Sequence, residues 1–173
     1  MPVLQVDNLR FTFLPNIAAE LYDKWQYYAN VSGQQQKAVD VVAVENPAAP
    51  TTAWLIEAKD FRSPYPPMPS RIGSLAQTVA MKVEHTLRGL EDAVTNATVD
   101  SEKRHAAMAV ATATKRVVLH LEPHVGPHTT LFPAGFAASV LQKLKQLVKA
   151  TDPNPLVLNI ANTAGAGVPW TVT

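Results

Sequence analysis

The nine residues AWLIEAKDF (53–61) constrain the fold of this chain more than any other stretch. Side chains alternate across an extended strand. Leu55, Glu57, Lys59 and Phe61 therefore share one face, and Trp54, Ile56, Ala58 and Asp60 share the other. Both faces are largely apolar, which is the pattern of a central strand covered on each side. The short length of the run and its flanking loops favour a strand over a buried helix. Glu57 and Lys59 are then charged side chains on a strand that the rest of the pattern buries. Left unpaired, such charges cost several kcal/mol each, so the fold must bring something to them.

The preceding segment supplies a partner. KAVDVVAVE (37–45) also reads as a strand, and a turn with two prolines (46–51) separates it from 53–61. Asp40 lies on the same face as Ala38, Val42 and Val44. With the turn centred between Ala48 and Ala49, antiparallel pairing sets Asp40 directly opposite Glu57. Cross-strand neighbours have Cβ atoms about 4.5–5.5 Å apart, and two carboxylates at that distance repel unless they share a proton or a cation. Lys59 can neutralise one of them, and a divalent metal would satisfy both. Oxygen-only donors suit Mg²⁺ or Mn²⁺, and Mg²⁺ is usually held by one or two carboxylates with waters completing its shell.

Around this hairpin the chain reads as an α/β protein. Residues 3–13 look extended, and Pro15-Asn16 breaks the run. From Asn16, Ile17, Leu21, Trp25 and Tyr28 form one helical stripe that ends near Asn30. Ser32-Gly33 makes a turn, and SPYPPMPS (63–70) is a proline-rich loop. Leu75, Val79, Val83, Leu87, Leu90 and Val94 mark a long helix, and Ser101 is a candidate cap for a short helix through Ala113. A strand at 116–122, a helix at about 133–150 and a strand at 156–161 follow. The expected architecture is an α/β sandwich, with a central mixed β-sheet flanked by helices on its faces. A chain of 173 residues suits one domain, here residues 1–162, with 163–173 as a loose tail.

The residues Val39-Asp40, a gap of 16 residues, and Glu57-Ala58-Lys59 within WLIEAKDF resemble the motif of the PD-(D/E)XK nuclease superfamily, which has the restriction-endonuclease-like fold. The expected element order is similar to that family's core of helix, hairpin, helix and strand. In element order the resemblance spans roughly residues 16–161, and in motif about 25 residues. Val stands before Asp40 where the family often has Pro, and no specificity domain is visible. The resemblance implies a Mg²⁺-dependent nuclease hydrolysing phosphodiester bonds of DNA, with Mn²⁺ as an alternative ion. Asp40, Glu57 and the backbone carbonyl of Ala58 would bind the metal, and Lys59 would orient or deprotonate the attacking water. It also implies a first-helix acid near the metal, for which Glu20 is the candidate; the alternative for Glu20 is a solvated pair with Lys24. Gln77, early in the long helix, is a candidate support for the site or else a plain surface glutamine. Arg62 and Arg71 flank the proline-rich loop where a phosphate backbone could lie. Tyr65 in that loop would stack on a base or pack. The alternative function is a catalytically inactive binding or assembly module on the same fold, and a third reading is an unrelated α/β protein with a structural cluster.

Composition narrows the rest. There is no cysteine, which excludes disulfides, thiolate zinc sites and thiol catalysis. The net charge of +1 gives no general electrostatic attraction to nucleic acid, so any contact must come from locally gathered basic residues. His120, His124 and His128 lie four apart, but Pro123 and Pro127 rule out one regular helix there. They read as loop and strand-end histidines or, less simply, a zinc loop. His85 reads as surface or groove. No Gly-rich phosphate loop or nucleophile elbow is present. With no signal peptide and no apolar run long enough to span a bilayer, a cytoplasmic protein without membrane contact is expected. It would act as a homodimer or within a larger complex, with Phe132, Trp170 and the tail as candidate contacts.

Overall fold

The computed structural model describes residues 1–31, 33, 36–62, 73–124 and 131–173. The chain opens with a hairpin of β1 (Val3–Val6) and β2 (Leu9–Phe13), turned at Asp7-Asn8 with Asp7 at φ 51°. Next come β3 (Ile17–Leu21), a 3₁₀ turn (Tyr22–Lys24), α1 (Gln26–Val31), β4 (Val41–Glu45) and β5 (Thr52–Asp60). Then follow α2 (Leu75–Asn96), α3 (Asp100–Ala111), β6 (Thr114–Glu122) and α4 (Phe136–Leu147). The chain ends with β7 (Leu156–Leu158), α5 (Ile160–Thr163) and β8 (Trp170–Val172).

Five strands make a mixed sheet in the order β3-β4-β5-β6-β7. β3, β4 and β5 form an antiparallel meander, and β6 and β7 continue in parallel beyond it. β5 therefore lies at the centre, two strands in from either edge, paired along its length with β6 and on its other side with β4. One face, carrying Val42, Val44, Ala53 and Leu55, packs against Val79, Val83 and Leu90 of α2, Ala106 of α3 and Leu144 of α4. The other face carries Val41, Ala43, Trp54 and Ile56. It packs against Leu9, Phe11, Phe13, Trp170 and Val172 of a second, antiparallel sheet ordered β1-β2-β8.

A mixed α/β architecture is thus as expected, but its layers differ. The principal helices lie on one face of the central sheet only, and a β-sheet covers most of the other. Several expected elements are corrected. The helix from Asn16 to Asn30 is instead β3, the 3₁₀ turn and the short α1. The 163–173 segment is not loose: β8 pairs with β2, and Trp170 and Val172 are buried. Trp170 and the partly buried Phe132 both pack internally, Trp170 on Trp54 and Phe13, Phe132 on Phe61 and Phe136. The cap of α3 is Val99 rather than Ser101, and the 156–161 strand stops at Leu158 before α5. Among the described residues no helix is long and apolar enough to cross a membrane.

One ribbon of α2 holds the segment leading into β4. The Lys37 N–H donates to His85 Nδ1 at 3.1 Å, and the Val39 N–H donates to Thr86 Oγ1 at 3.0 Å. Lys82, His85, Thr86 and Gly89 share one side of the helix by their spacing of three and four. His85 and Thr86 present acceptors to residues 37–39, Lys82 turns its ammonium to Glu57 and Asp40, and Gly89 leaves room for Tyr22. His85 is half-buried and lines a cleft with Tyr27, Gln36 and Arg88, the groove position expected of it, and its ring also accepts the Lys37 N–H.

Candidate metal and catalytic site

The β4–β5 register is Val41↔Ile56 and Val42↔Leu55, the alignment that a turn centred between Ala48 and Ala49 requires. One step beyond the last pair, the Asp40 side chain takes over from the ladder. Its Oδ2 accepts the Ala58 N–H at 2.7 Å, while its own carbonyl accepts the Tyr22 N–H at 3.0 Å. Asp40 is thus fixed through both backbone and side chain, next to Glu57.

Glu57 is fully buried, at 0% exposure, and two ammonium groups meet it. Lys59 Nζ lies 2.5 Å from Glu57 Oε1 and donates to the Ala58 carbonyl at 2.9 Å. Lys82, reaching down from α2, donates to Glu57 Oε1 at 2.7 Å and Oε2 at 2.9 Å, and its Nζ is 3.8 Å from Asp40 Oδ1. Two carboxylates and two ammonium groups compensate one another, which is what makes burial of this cluster tolerable. Lys82 belongs to no part of the motif. Its position beside the Val79–Val83 stripe was the available signal, but only the tertiary packing aims it at Glu57.

Burial raises the Glu57 carboxyl above its ordinary value, and the Asp40 charge pushes it the same way, against the pull of Lys59 and Lys82. For Lys59 burial pulls downward, yet the Glu57 and Asp40 charges prevail and its pKa is raised. Lys59 is accordingly an ammonium at neutral pH in this arrangement, suited to donating hydrogen bonds and stabilising negative charge rather than removing a proton. A cleft of about 640 Å³ opens beside it, lined by Lys37, Lys59, Asp60, Phe61 and Thr78 among others.

The donor set suits a hard cation. Glu57 Oε1 and Oε2, Asp40 Oδ1 and the Ala58 carbonyl oxygen already face ammonium groups at 2.5–3.8 Å, so these oxygens converge on positive charge. Among the described residues no three His, Asp or Glu side chains gather as metal ligands. Two carboxylates and one carbonyl are the available protein donors, within the range usual for Mg²⁺.

The other candidates lie elsewhere. Glu20 is on β3, opposite Val42. Its carboxylate is 3.7 Å from His105 Nδ1, and the charges that bear on it are Glu102 and Arg104. It joins neither the Asp40–Glu57 cluster nor Lys24, which pairs with Asp23. The expected first-helix acid is a strand residue facing α3. Gln77 is exposed on α2, the plain surface position. Arg62 is engaged by Asp60 through Nε and Nη2, both at 2.8 Å, so a phosphate would have to compete with that carboxylate. Arg71, Tyr65 and the proline-rich 63–70 lie outside the described residues, as does His128. His120 is buried, with Nε2 2.9 Å from Glu122 Oε1, and His124 Nδ1 is 3.1 Å from the Phe61 carbonyl. These are strand-end histidines with ordinary partners. Arg116 stacks over Trp54 and pairs with Asp152, so it too serves the fold.

No protein-family model matches the chain, and no solved structure matches it. A curated relative, a cysteine–tRNA ligase from Neisseria meningitidis serogroup A / serotype 4A, is 24% identical over an alignment of 214 residues. That alignment takes in 100% of this chain and 30% of the ligase, so the chain spans about a third of the relative's length.

Proposed function

We propose that this chain is a metal-dependent nuclease of the PD-(D/E)XK type, hydrolysing phosphodiester bonds of DNA on a restriction-endonuclease-like sandwich. The observation that carries this reading is the convergence of Asp40, Glu57, the Ala58 carbonyl and Lys59 at one end of the β4–β5 pair. Asp40, just before β4, and Glu57 of β5 meet there in the register of a turn centred between Ala48 and Ala49. Asp40, Glu57 and the Ala58 carbonyl would hold Mg²⁺ or Mn²⁺, which would supply an activated water and neutralise the leaving oxygen. Lys59 faces the cleft and, as an ammonium, would orient that water and stabilise negative charge on the non-bridging oxygens of the phosphorane-like transition state. Asp40, pinned by the Ala58 N–H, keeps the carboxylates in register without needing to move.

A second reading is a catalytically silent binding or assembly module on the same fold. The observation favouring it is that Lys82 and Lys59 already balance both carboxylates. The likeness to a cysteine–tRNA ligase lends nothing to either reading.

The deciding experiment is cleavage of plasmid and linear DNA with Mg²⁺ or Mn²⁺ by wild type and Lys59→Ala, with circular dichroism spectra matched. The nuclease reading expects metal-dependent cutting by wild type and a loss of about a hundredfold or more in the folded variant. Wild-type protein that neither cuts DNA nor binds metal in calorimetry would establish the silent module instead.

A further inference from the structure

We propose that Lys82 is a built-in competitor for the metal site: its ammonium occupies the cation position shared by Glu57 and Asp40, and a divalent ion binds by displacing it. The inference rests on the metal-binding reading given above. Its own observation is the geometry of Lys82, which no motif residue predicts.

Lys82 Nζ contacts both Glu57 oxygens, at 2.7 and 2.9 Å, and lies 3.8 Å from Asp40 Oδ1. It is therefore the group that bridges the two carboxylates, and the space it fills is the space a shared ion needs. Lys59 is placed differently. It takes one Glu57 oxygen and also a backbone carbonyl, that of Ala58, so it keeps a neutral partner if a cation takes over Glu57. Among the described residues Lys82 has no such backbone acceptor, and it stands on a flexible four-carbon stem rooted in a different element. With both lysines in place the cluster is already neutral, and a divalent ion added to it would meet an ammonium within contact distance. Of the two, Lys82 is the one that must leave. The consequence is a site whose affinity for metal is set from α2, a helix that carries none of the motif.

The test is calorimetric binding of Mn²⁺ to wild type, Lys82→Met and Lys82→Met/Asp40→Asn at low ionic strength. Methionine keeps the length of the stem and removes the charge. The expected result is Mn²⁺ binding about tenfold or more tighter in Lys82→Met than in wild type, lost again when Asp40 becomes Asn. Equal affinity in wild type and Lys82→Met, or weaker binding in the variant, overturns the competitor role and leaves the metal site standing. No binding by either protein overturns the metal site and the competitor together. If Lys82→Met does not fold alone, folding restored by Mn²⁺ supports the proposal and failure to be restored overturns it. Wild type gives an independent readout through acetylation of lysines followed by mass spectrometry. Mg²⁺ should raise the labelling rate of Lys82 severalfold while that of the surface Lys145 stays constant, and an unchanged Lys82 rate counts against displacement.

Discussion

Glu57 and His105 are both buried ionisable side chains, and their neighbours treat them differently. Glu57 is met by two ammonium groups. His105, 1% exposed on α3, has its Nε2 3.1 Å from the Val42 carbonyl and its ring edge-on to Trp25. A carbonyl can only accept, so Nε2 carries the proton, and Nδ1 faces Glu20 Oε1 at 3.7 Å. Burial lowers its pKa from 6.5 to about 4, against the opposing pull of the Val42 carbonyl. The folded state therefore refuses a proton that the unfolded chain accepts below pH 6.5, and stability falls as pH drops from 6.5 towards 4. Glu20 works the other way, because burial raises its carboxyl and the folded state takes up that proton earlier. The contribution of His105 is isolated by comparison with His105→Gln. Urea unfolding at pH 7 and pH 5 should show wild type losing about 2 kcal/mol more than the variant over that interval. Equal losses would mean that the imidazole is protonated as readily in the fold as outside it. Neither His105 nor Lys82 was legible as a partner in the sequence, because each acts across a helix–sheet contact that no local spacing encodes.

At the level of elements, the central hairpin was legible and its neighbour β3 was not, and both outcomes have a physical cause. A turn centred between Ala48 and Ala49 sets the register of β4 on β5 and brings Asp40 opposite Glu57, and the structure has that register. The long α2 followed from an apolar stripe sustained over twenty residues. For β3 the spacing misled. A separation of four, as between Ile17 and Leu21, satisfies strand alternation as well as a helical turn. The alternation Ile17, Ala19, Leu21 is the one the fold uses, placing all three against the second sheet. Pairing with β4 then outweighs local helical preference. Where the two layers meet, Gly89 of α2 is needed for space. A Cβ there would lie 2.3 Å from the Tyr22 hydroxyl oxygen. Tyr22 is 1% exposed, with the Trp25 and Tyr28 rings packed near it, so it cannot yield. Alanine would gain about 1 kcal/mol of helix propensity but incur an overpacking cost of about 1–3 kcal/mol. Gly89→Ala should therefore destabilise on balance, by up to about 2 kcal/mol in chemical unfolding. In a Tyr22→Phe background the next ring atom is 3.6 Å away, an ordinary contact, and the same substitution should become neutral or stabilising. Failure of the sign to change would locate the cost elsewhere than the hydroxyl.

For the molecule as a whole, the two chain ends close the face opposite the helices. β1 and β2 come from the first thirteen residues and β8 from the last four, and together they form the sheet that covers the back of β5. Glu57 faces the helices, and Trp54, three residues before it on the same strand, faces this sheet. The Trp170 ring stands edge-on to Trp54 at 5.1 Å and packs on Phe13 at 5.6 Å. This arrangement was hidden in the sequence because β8 contributes only Trp170 and Val172 inward, too short an alternation to read, and its partner β2 lies more than 150 residues away. The site strand is thus gripped from both sides, and its reverse face depends on the C-terminus. Trp170→Ala should cost about 3–5 kcal/mol in urea unfolding, the range for emptying a buried tryptophan position. Removal of residues 169–173 should cost at least as much, since it also exposes Phe11 and Phe13. A tail that merely lay on the surface would give changes within about 0.5 kcal/mol, so the magnitude of the loss decides whether β8 is part of the core. Because Trp54 and Glu57 share β5, the truncated protein should also show weaker Mn²⁺ binding than Trp170→Phe, which keeps an aromatic ring against Trp54. Equal binding by the two would mean that the site's geometry is held by β4 and α2 alone.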